Sequence, residues 1–192
     1  MNLQNKFTNV FSLFIVILIN FSCQEKSKKS EIEIYTLKSE NEKPEVLYDS
    51  IQKEFLYAPK FEVSQNLLNE KPLIIGDEIL CLDTVSGKIE LSAEAINRIV
   101  ALNPSMKHGI KFAICKNKEP LFTGYFWSSL SSYGSTWNCI EYNHTKKAVE
   151  PTKFGIYKGN GINPTKREKI DFTNYPILLK DFQDSGKVGC VK

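Results

Sequence analysis

The sequence of 192 residues predicts an α+β fold, a small antiparallel sheet packed by about two helices. Residues 111–127 have the pattern of a β-hairpin, and residues 93–102 and 174–186 each have the apolar spacing and end residues of a helix. The strand-like stretches do not alternate regularly with these helices, which favours α+β over a parallel βαβ fold. We expect residues 31–192 to form a single domain with a modest core.

The first residues are predicted to be a targeting segment rather than part of the fold. An almost unbroken apolar run covers residues 10–21 and follows the single positive charge of Lys6. Such a run is too short to span a bilayer comfortably and is typical of a signal-peptide core. We therefore expect residues 1–22 to be a signal peptide.

Cys23 follows this core directly, and the small residue Ser22 precedes it. The arrangement resembles the lipobox of bacterial lipoproteins, although Asn20 and Phe21 depart from the preferred pattern. The resemblance implies that Cys23 is lipidated and becomes the mature N-terminus, so that residues 23–30 form a polar tether to the membrane. The alternative is an ordinary secretory signal cut near Ser22, with Cys23 incidental.

The charge pattern excludes one class of partner. The formal net charge is +3, and the lysines are spread along the chain rather than gathered into a stripe. Nucleic-acid binding needs clustered basic residues that displace counterions from phosphates. We therefore expect no nucleic-acid partner.

Four cysteines follow Cys23, namely Cys81, Cys115, Cys139 and Cys190. Their spacing matches no zinc pattern, and an exported chain meets conditions in which disulfides persist. Buried thiols and one disulfide remain open alternatives. If one pair forms, we expect Cys115 with Cys139, because their strands could be neighbours.

Five further segments are predicted from periodicity. Alternating polar and apolar residues predict a half-buried strand at 31–38, and short apolar runs predict strands at 79–83 and 88–91. Apolar residues at helical spacing favour a short helical turn at 46–55. Residues 153–157 predict an edge strand.

Both helices are predicted from their ends. Ser92 is a favourable N-cap for a helix over residues 93–102. Asn174 can cap the second helix, with Pro176 in its first turn and Gly186 after its end.

The hairpin at residues 111–127 turns at residues 116–118 and carries apolar groups on both faces, so we expect it inside the sheet. Gly124 within its second strand suggests a bulge or a close approach by another backbone. The serine-rich residues 128–135 predict a loop, and residues 137–142 predict a returning strand.

Residues 88–96 and 112–132 together resemble a family of uncharacterised bacterial exported proteins, often lipoproteins. That family is similar to the periplasmic head subdomain of the translocase subunit SecD. The resemblance runs from about residue 72 to 142 and is most specific over residues 124–132. It implies an antiparallel sheet backed by helices and brings no catalytic residues.

The candidate binding surface is the aromatic and hydroxyl cluster at the serine-rich loop: Tyr125, Trp127, Ser128, Ser129, Ser131, Ser132, Tyr133 and Trp137. Exposed aromatic rings with hydroxyl groups would suit a peptide or a glycan. The alternative is that Tyr125 and Trp127 belong to the core and that the serines only solvate a turn.

No hydrolase motif surrounds these serines, and the two histidines, His108 and His144, lie in polar segments. We expect no metal and no cofactor. The sequence favours a lipid-anchored binding or assembly module of the cell envelope, without catalytic activity and with an envelope protein or peptide as partner. The alternative is an extracytoplasmic hydrolase with an unrecognised serine site within residues 128–135.

Overall fold

The computed structural model describes residues 30–38, 46–51, 53–102, 107–160 and 167–190. The predicted signal peptide, Cys23 and the tether up to residue 29 lie outside this part of the chain. The described residues form a sheet-dominated α+β fold, as predicted. The main sheet has eight strands and is therefore larger than the small sheet expected from the sequence.

The strands are β1 (Ile32–Thr36), β2 (Val46–Asp49), β3 (Glu54–Tyr57), β4 (Ile79–Asp83), β5 (Lys88–Leu91), β6 (Ile110–Lys116), β7 (Glu119–Ser128), β8 (Ser135–Tyr142), β9 (Thr152–Asn160) and β10 (Glu168–Lys169), and the α-helices are α1 (Ala93–Ala101) and α2 (Pro176–Asp184).

The main sheet has the order β1-β6-β7-β8-β9-β5-β4, and β10 pairs with β9. The sheet is mixed rather than antiparallel, because β8 runs parallel to β7. Residues 129–134 must therefore carry the chain back toward the start of β7. Residues 153–157 were predicted to form an edge strand and lie in β9. The edge position was wrong, because β9 has β8 on one side and β5 on the other.

The predicted hairpin of β6 and β7 lies at the centre of the sheet. Asn117 and Lys118 form its turn with φ of 49° and 67°, the left-handed conformation that matches the twist of a two-residue hairpin. The close approach predicted at Gly124 is confirmed: a Cβ there would lie 2.9 Å from the carbonyl oxygen of Asn138. A side chain at this position would push β8 away from β7.

The sheet has a core on each face. One face is aliphatic and phenylalanine-rich, and both helices pack on it through residues such as Ile96, Ile99, Leu178 and Phe182. The other face carries aromatic rings and thiols and is covered by an irregular segment that includes Phe61 and Leu68. Because both faces are covered, the central strands are apolar on both sides.

Both helices form close to the expected residues. The Ser92 hydroxyl accepts a hydrogen bond from the Ala95 N–H at 3.2 Å and caps α1, as predicted. Pro176 occupies the first turn of α2, but the residue before the helix is Tyr175 rather than Asn174. Asn174 instead ends a short 3₁₀ turn that Asp171 caps.

The structure pairs Cys81 with Cys190, with 5.3 Å between their Cα atoms. The expected pair is therefore wrong: Cys115 and Cys139 are free, buried thiols. These residues lie on β6 and β8, and β7 separates those strands. Two strand spacings amount to about 9–10 Å, which exceeds the Cα separation that a disulfide tolerates.

The segment predicted to make a helical turn forms a separate hairpin of β2 and β3. The helical spacing of its apolar residues was coincidental, and its aromatic and β-branched residues suit strands. Lys53, with φ of 55°, lies in the turn between the two strands.

Candidate functional site

The predicted binding surface divides into a buried part and an accessible part. Tyr125, Trp127 and Ser128 are almost fully buried, which matches the alternative that these rings belong to the core. The Tyr125 hydroxyl donates to the carbonyl oxygen of Pro59 at 2.9 Å, and the Trp127 Nε1–H donates to that of Tyr133 at 3.1 Å. These three residues therefore offer no surface to a ligand.

Of the other predicted serines, Ser131 holds the loop together. Ser129 and Ser132 are exposed, whereas Ser131 is half-buried. The Ser131 hydroxyl accepts from the Tyr133 N–H at 3.1 Å and donates to the Tyr133 carbonyl oxygen at 3.2 Å. Such local bonds from a serine side chain to the backbone are typical of turns.

Two predicted aromatic residues remain partly accessible, and a lysine lies over each ring. Tyr133 packs against Tyr57 with 4.7 Å between ring centroids, and the Lys107 ammonium lies 5.5 Å from the Tyr133 ring. The Lys60 ammonium lies 5.4 Å from the Trp137 ring. These distances are in the range of cation–π contacts.

Trp137 borders an open cavity of about 350 Å³, which we name the Trp137 groove. Its walls include Lys60, Phe61, Glu62, Thr123, Trp137 and Tyr175. The volume lies at the lower end of the range for ligand sites, and the mixture of aromatic rings with a few polar groups is typical of such sites.

The groove exists because β7 is longer than the part of it that β8 covers. The β7–β8 ladder runs from Tyr125 to Ser128 on β7. Of the preceding residues, Pro120, Phe122 and Thr123 pair with β6 on one side, and residues 120–123 line the groove on the other. The groove is therefore a gap in the sheet.

Hydrogen bonds fix the inner end of the groove. The Trp137 Nε1–H donates to the Thr123 hydroxyl at 3.2 Å, and that hydroxyl donates to the Phe61 carbonyl oxygen at 3.2 Å. The Asn138 side chain donates to the Thr123 carbonyl oxygen at 2.9 Å. Trp137 is thus held in place before any ligand arrives, which reduces the entropy cost of binding.

Sequence reasoning found Trp137 but missed Lys60, Phe61 and Glu62. These residues come from an irregular segment about sixty positions before β7, and no local pattern places that segment beside the strand. The only sequence feature near these residues is Pro59, which interrupts regular secondary structure. It predicts where an element ends but not which distant strand the segment contacts.

The hydrolase hypothesis needs an accessible serine beside a histidine, and the structure contains a serine–histidine contact at a buried serine. The Ser128 Oγ lies 2.8 Å from His144 Nδ1, because Ser128 ends β7 and His144 follows the end of the parallel strand β8. Ser128 is only 2% exposed, and its hydroxyl also accepts from the Leu130 N–H at 3.1 Å. In this geometry the pair holds the serine-rich loop and gives a substrate no access to Oγ.

Among the described residues, one group of side chains has the spacing of metal ligands: Cys81, Glu90 and Cys190. Both of its sulfur atoms are bonded to each other in the disulfide. A thiolate is the form that binds metal, so this group is not a metal site while the disulfide is intact.

Comparison with models of protein families, with curated proteins and with solved structures finds no match for this chain. No helix in the described part of the chain is long and apolar enough to cross a membrane.

Proposed function

We propose that this chain is a lipid-anchored binding or assembly module of the bacterial cell envelope, without catalytic activity, and that it holds a peptide segment of an envelope partner in the Trp137 groove. The observation that carries the proposal is the groove itself: an aromatic-lined gap along one edge of β7. The relationship to exported proteins similar to the SecD head remains part of this proposal.

A peptide is the ligand that suits a gap at a strand edge. Among the described residues, residues 120–123 have a neighbouring strand on one side only, so an extended chain can approach their other edge. The Thr123 carbonyl oxygen already accepts from Asn138 and Pro120 has no N–H, so side-chain contacts would carry most of the recognition. Lys60 and Glu62 place opposite charges at the rim, where they can meet the charged side chains of a peptide. Trp137 provides a rigid aromatic anchor of the kind that dominates binding energy.

Two features support the proposed location. The Cys81–Cys190 disulfide is typical of proteins in an oxidising compartment outside the cytoplasm. Ser30, seven positions after Cys23, is held to the domain, since its hydroxyl donates to the buried Asp181 carboxylate at 2.9 Å. Seven residues span at most about 25 Å, so lipidation of Cys23 would keep the domain close to the membrane.

The anchor is tested by the intact mass and membrane fractionation of the wild type beside a Cys23→Ala variant. We expect a diacylglyceryl mass and membrane association in the wild type only. A soluble wild type cut near Ser22 would contradict the anchor and leave the groove unaffected.

The groove is tested with a random library of peptides of about ten residues, selected for binding to the wild type. We expect Trp137→Ala to weaken the selected peptides about thirtyfold or more, and Lys60→Ala to weaken them less. The control is Val149→Ala, because Val149 is 95% exposed and lies outside the groove. Selected peptides that bind Trp137→Ala as well as the wild type would contradict a groove site.

The 2.8 Å Ser128–His144 contact favours the hydrolase as a second candidate. It is tested with a fluorophosphonate probe, which labels activated serines. We expect no labelling, because the Ser128 hydroxyl is buried. Labelling that disappears in Ser128→Ala would favour the hydrolase over the binding module.

A further inference from the structure

Three side chains of the kind that bind metal ions meet where the main sheet ends at β4. Cys81 on β4 and Glu90 on β5 are direct partners in the strand register, so their side chains leave the same face of the sheet. Cys190 joins them from the segment after α2. The two Sγ atoms and a carboxylate oxygen of Glu90 all lie within 4.8 Å of one another.

Backbone contacts hold Cys190 beside β4 independently of the disulfide. Val188 forms a parallel bridge with Leu82. The Leu82 N–H donates to the Lys187 carbonyl oxygen at 2.7 Å, and the Gly189 N–H donates to the Leu82 carbonyl oxygen at 3.0 Å. Because these bonds do not need the S–S bond, we expect the two cysteines to stay neighbours when it is broken. The ligand set is therefore preorganised, which lowers the entropy cost of binding.

The Glu90 carboxylate distinguishes this cluster from an ordinary disulfide. Its Oε2 atom lies 3.3 Å from the Cys81 Sγ, although a disulfide sulfur has no hydrogen to donate. The Lys153 ammonium lies 3.7 Å from the same oxygen. If the disulfide were reduced, two thiolates beside this carboxylate would place three negative charges together, and a single ammonium would offset only part of their repulsion. A divalent cation between them would offset it further.

We propose that reduction of the Cys81–Cys190 disulfide creates a site for a divalent cation of the zinc class, bound by the two thiolates and the Glu90 carboxylate. A dithiol supplies the two electrons: its own sulfur atoms form a disulfide as the Cys81–Cys190 bond breaks, and its two protons pass to the cysteines. The cation then displaces these two protons into the solvent. Thiolate ligands favour Zn²⁺ or Cd²⁺ over Mg²⁺ and Ca²⁺, which prefer oxygen.

The cluster has room for such an ion. Two sulfur ligands about 2.3 Å from a tetrahedral cation are about 3.8 Å apart. The Cβ atoms of a disulfide usually lie about 3.8 Å apart as well, so rotation of the two side chains separates the sulfur atoms without moving the backbone. Glu90 and Cys190 are half-buried, so solvent can occupy the fourth position.

Binding is measured on the purified Cys23→Ala protein, reduced with a dithiol that is then removed by gel filtration without oxygen. The probe is Cd²⁺, because its bonds to thiolates absorb in the ultraviolet. We expect one Cd²⁺ per reduced chain and no such absorption in the oxidised protein. Zn²⁺ should compete with Cd²⁺ for the site, and Mg²⁺ should not.

Three variants separate the proposed ligands from their surroundings. Glu90→Gln keeps the disulfide and should weaken Cd²⁺ binding about tenfold or more, at least the usual cost of losing a group that supports a metal ligand. The matched control is Glu94→Gln, which changes an exposed carboxylate outside the cluster and should have no effect. Lys153→Met should strengthen binding about threefold, because it removes the ammonium that competes with the ion for Glu90.

Four outcomes would overturn the proposal. The first two are a reduced protein that binds no Cd²⁺, and binding that is unchanged in Glu90→Gln. The third is loss of binding in Cys115→Ala with Cys139→Ala, which would assign the ion to the buried thiols. The fourth is a reduced chain that binds Cd²⁺ after its far-ultraviolet circular dichroism has been lost, since the site needs β4 paired with β5.

The cation site and the Trp137 groove can fail separately. Cys81, Glu90 and Cys190 are not among the residues that line the groove. Trp137→Ala should therefore bind Cd²⁺ as the parent protein does, and Glu90→Gln should bind the peptides selected for the groove as the wild type does. Loss of Cd²⁺ binding in Trp137→Ala would contradict a site formed by these three ligands alone.

Discussion

Two antiparallel hairpins of the described chain, β6–β7 and β2–β3, have similar apolar character and opposite exposure. In the hairpin of β6 and β7, Phe112, Phe122 and Phe126 are each at most 2% exposed. In the hairpin of β2 and β3, Tyr48 and Phe55 are 57% and 60% exposed, although their rings contact each other at 5.2 Å. The first hairpin has β1 and β8 beside it and chain on both faces, whereas the second pairs with no other strand among the described residues.

This difference shows that apolar content does not by itself determine burial. A strand pair is buried only when other elements supply neighbours for its edges and its faces. The central hairpin obtains these neighbours from its own chain. The β2–β3 hairpin does not, and we therefore expect it to contribute little to the free energy of unfolding.

The largest contrast is expected from truncating one phenylalanine in each hairpin. Phe126→Ala should lower the free energy of unfolding by about 3–5 kcal/mol, because it leaves a cavity in a sealed core. Phe55→Ala removes a largely solvated ring and should cost less than about 1 kcal/mol. Urea denaturation of both variants beside the wild type measures the difference.

Similar losses in the free energy of unfolding for the two variants would contradict the difference between the hairpins. A large loss at Phe55 would mean that the β2–β3 hairpin packs against the domain in solution.

A smaller contrast is expected from adding a methyl group. Gly124→Ala would place a Cβ 2.9 Å from the Asn138 carbonyl oxygen and 2.8 Å from the Phe112 ring, so it should cost about 1–3 kcal/mol through overpacking. The matched change in the other hairpin, Ser50→Ala, alters an exposed turn residue and should stay within about 0.5 kcal/mol. Thermal unfolding of both variants checks this, and a neutral Gly124→Ala contradicts the close approach of β8.

The reactivity of cysteine thiols at near-neutral pH should differ between the buried sheet and the exposed β2–β3 hairpin. Burial raises the pKa of Cys115 on β6 to about 12, and it does the same for Cys139 on β8. Neither thiol should react with a thiol reagent at about pH 8, whereas a cysteine introduced by Tyr48→Cys should react readily. In a Cys23→Ala background, unfolding without a reductant should expose two thiols, since Cys81 and Cys190 are paired. Four thiols in this unfolded variant would contradict the disulfide.

The same raised pKa values predict a loss of stability in alkali. The unfolded thiols ionise above about pH 9, while the folded thiols keep their protons up to about pH 12. The unfolded state therefore binds fewer protons in this window, and the free energy of unfolding falls by up to about 1.4 kcal/mol per pH unit for each thiol. Cys115→Ala with Cys139→Ala should reduce this slope in denaturation measured between these pH values. It should not abolish the slope, because burial also raises the pKa of Tyr35 and Tyr142. An unchanged slope would assign it to other groups.

The elements that could be predicted from the sequence are those whose start, end and periodicity are encoded within a few residues. The Ser92 cap and the apolar spacing after it were sufficient for α1, and the turn at Asn117 with apolar strands beside it was sufficient for the central hairpin. Sequence also indicated a bulge or a close approach by another backbone at Gly124, and the structure shows the close approach. In the Trp137 groove it found Trp137, because a large aromatic residue near a polar loop can be identified without a structure.

Which elements become neighbours could not be predicted from the sequence and is seen only in the tertiary structure. It placed β9 inside the sheet, paired Cys81 with Cys190, separated Cys115 from Cys139 by a strand, and laid the segment at Phe61 against β7 to form the groove. It also left the β2–β3 hairpin exposed. The physical reason is that pairing and burial depend on contacts between residues far apart in the chain, and the periodicity of one segment carries no information about which distant segment will cover it.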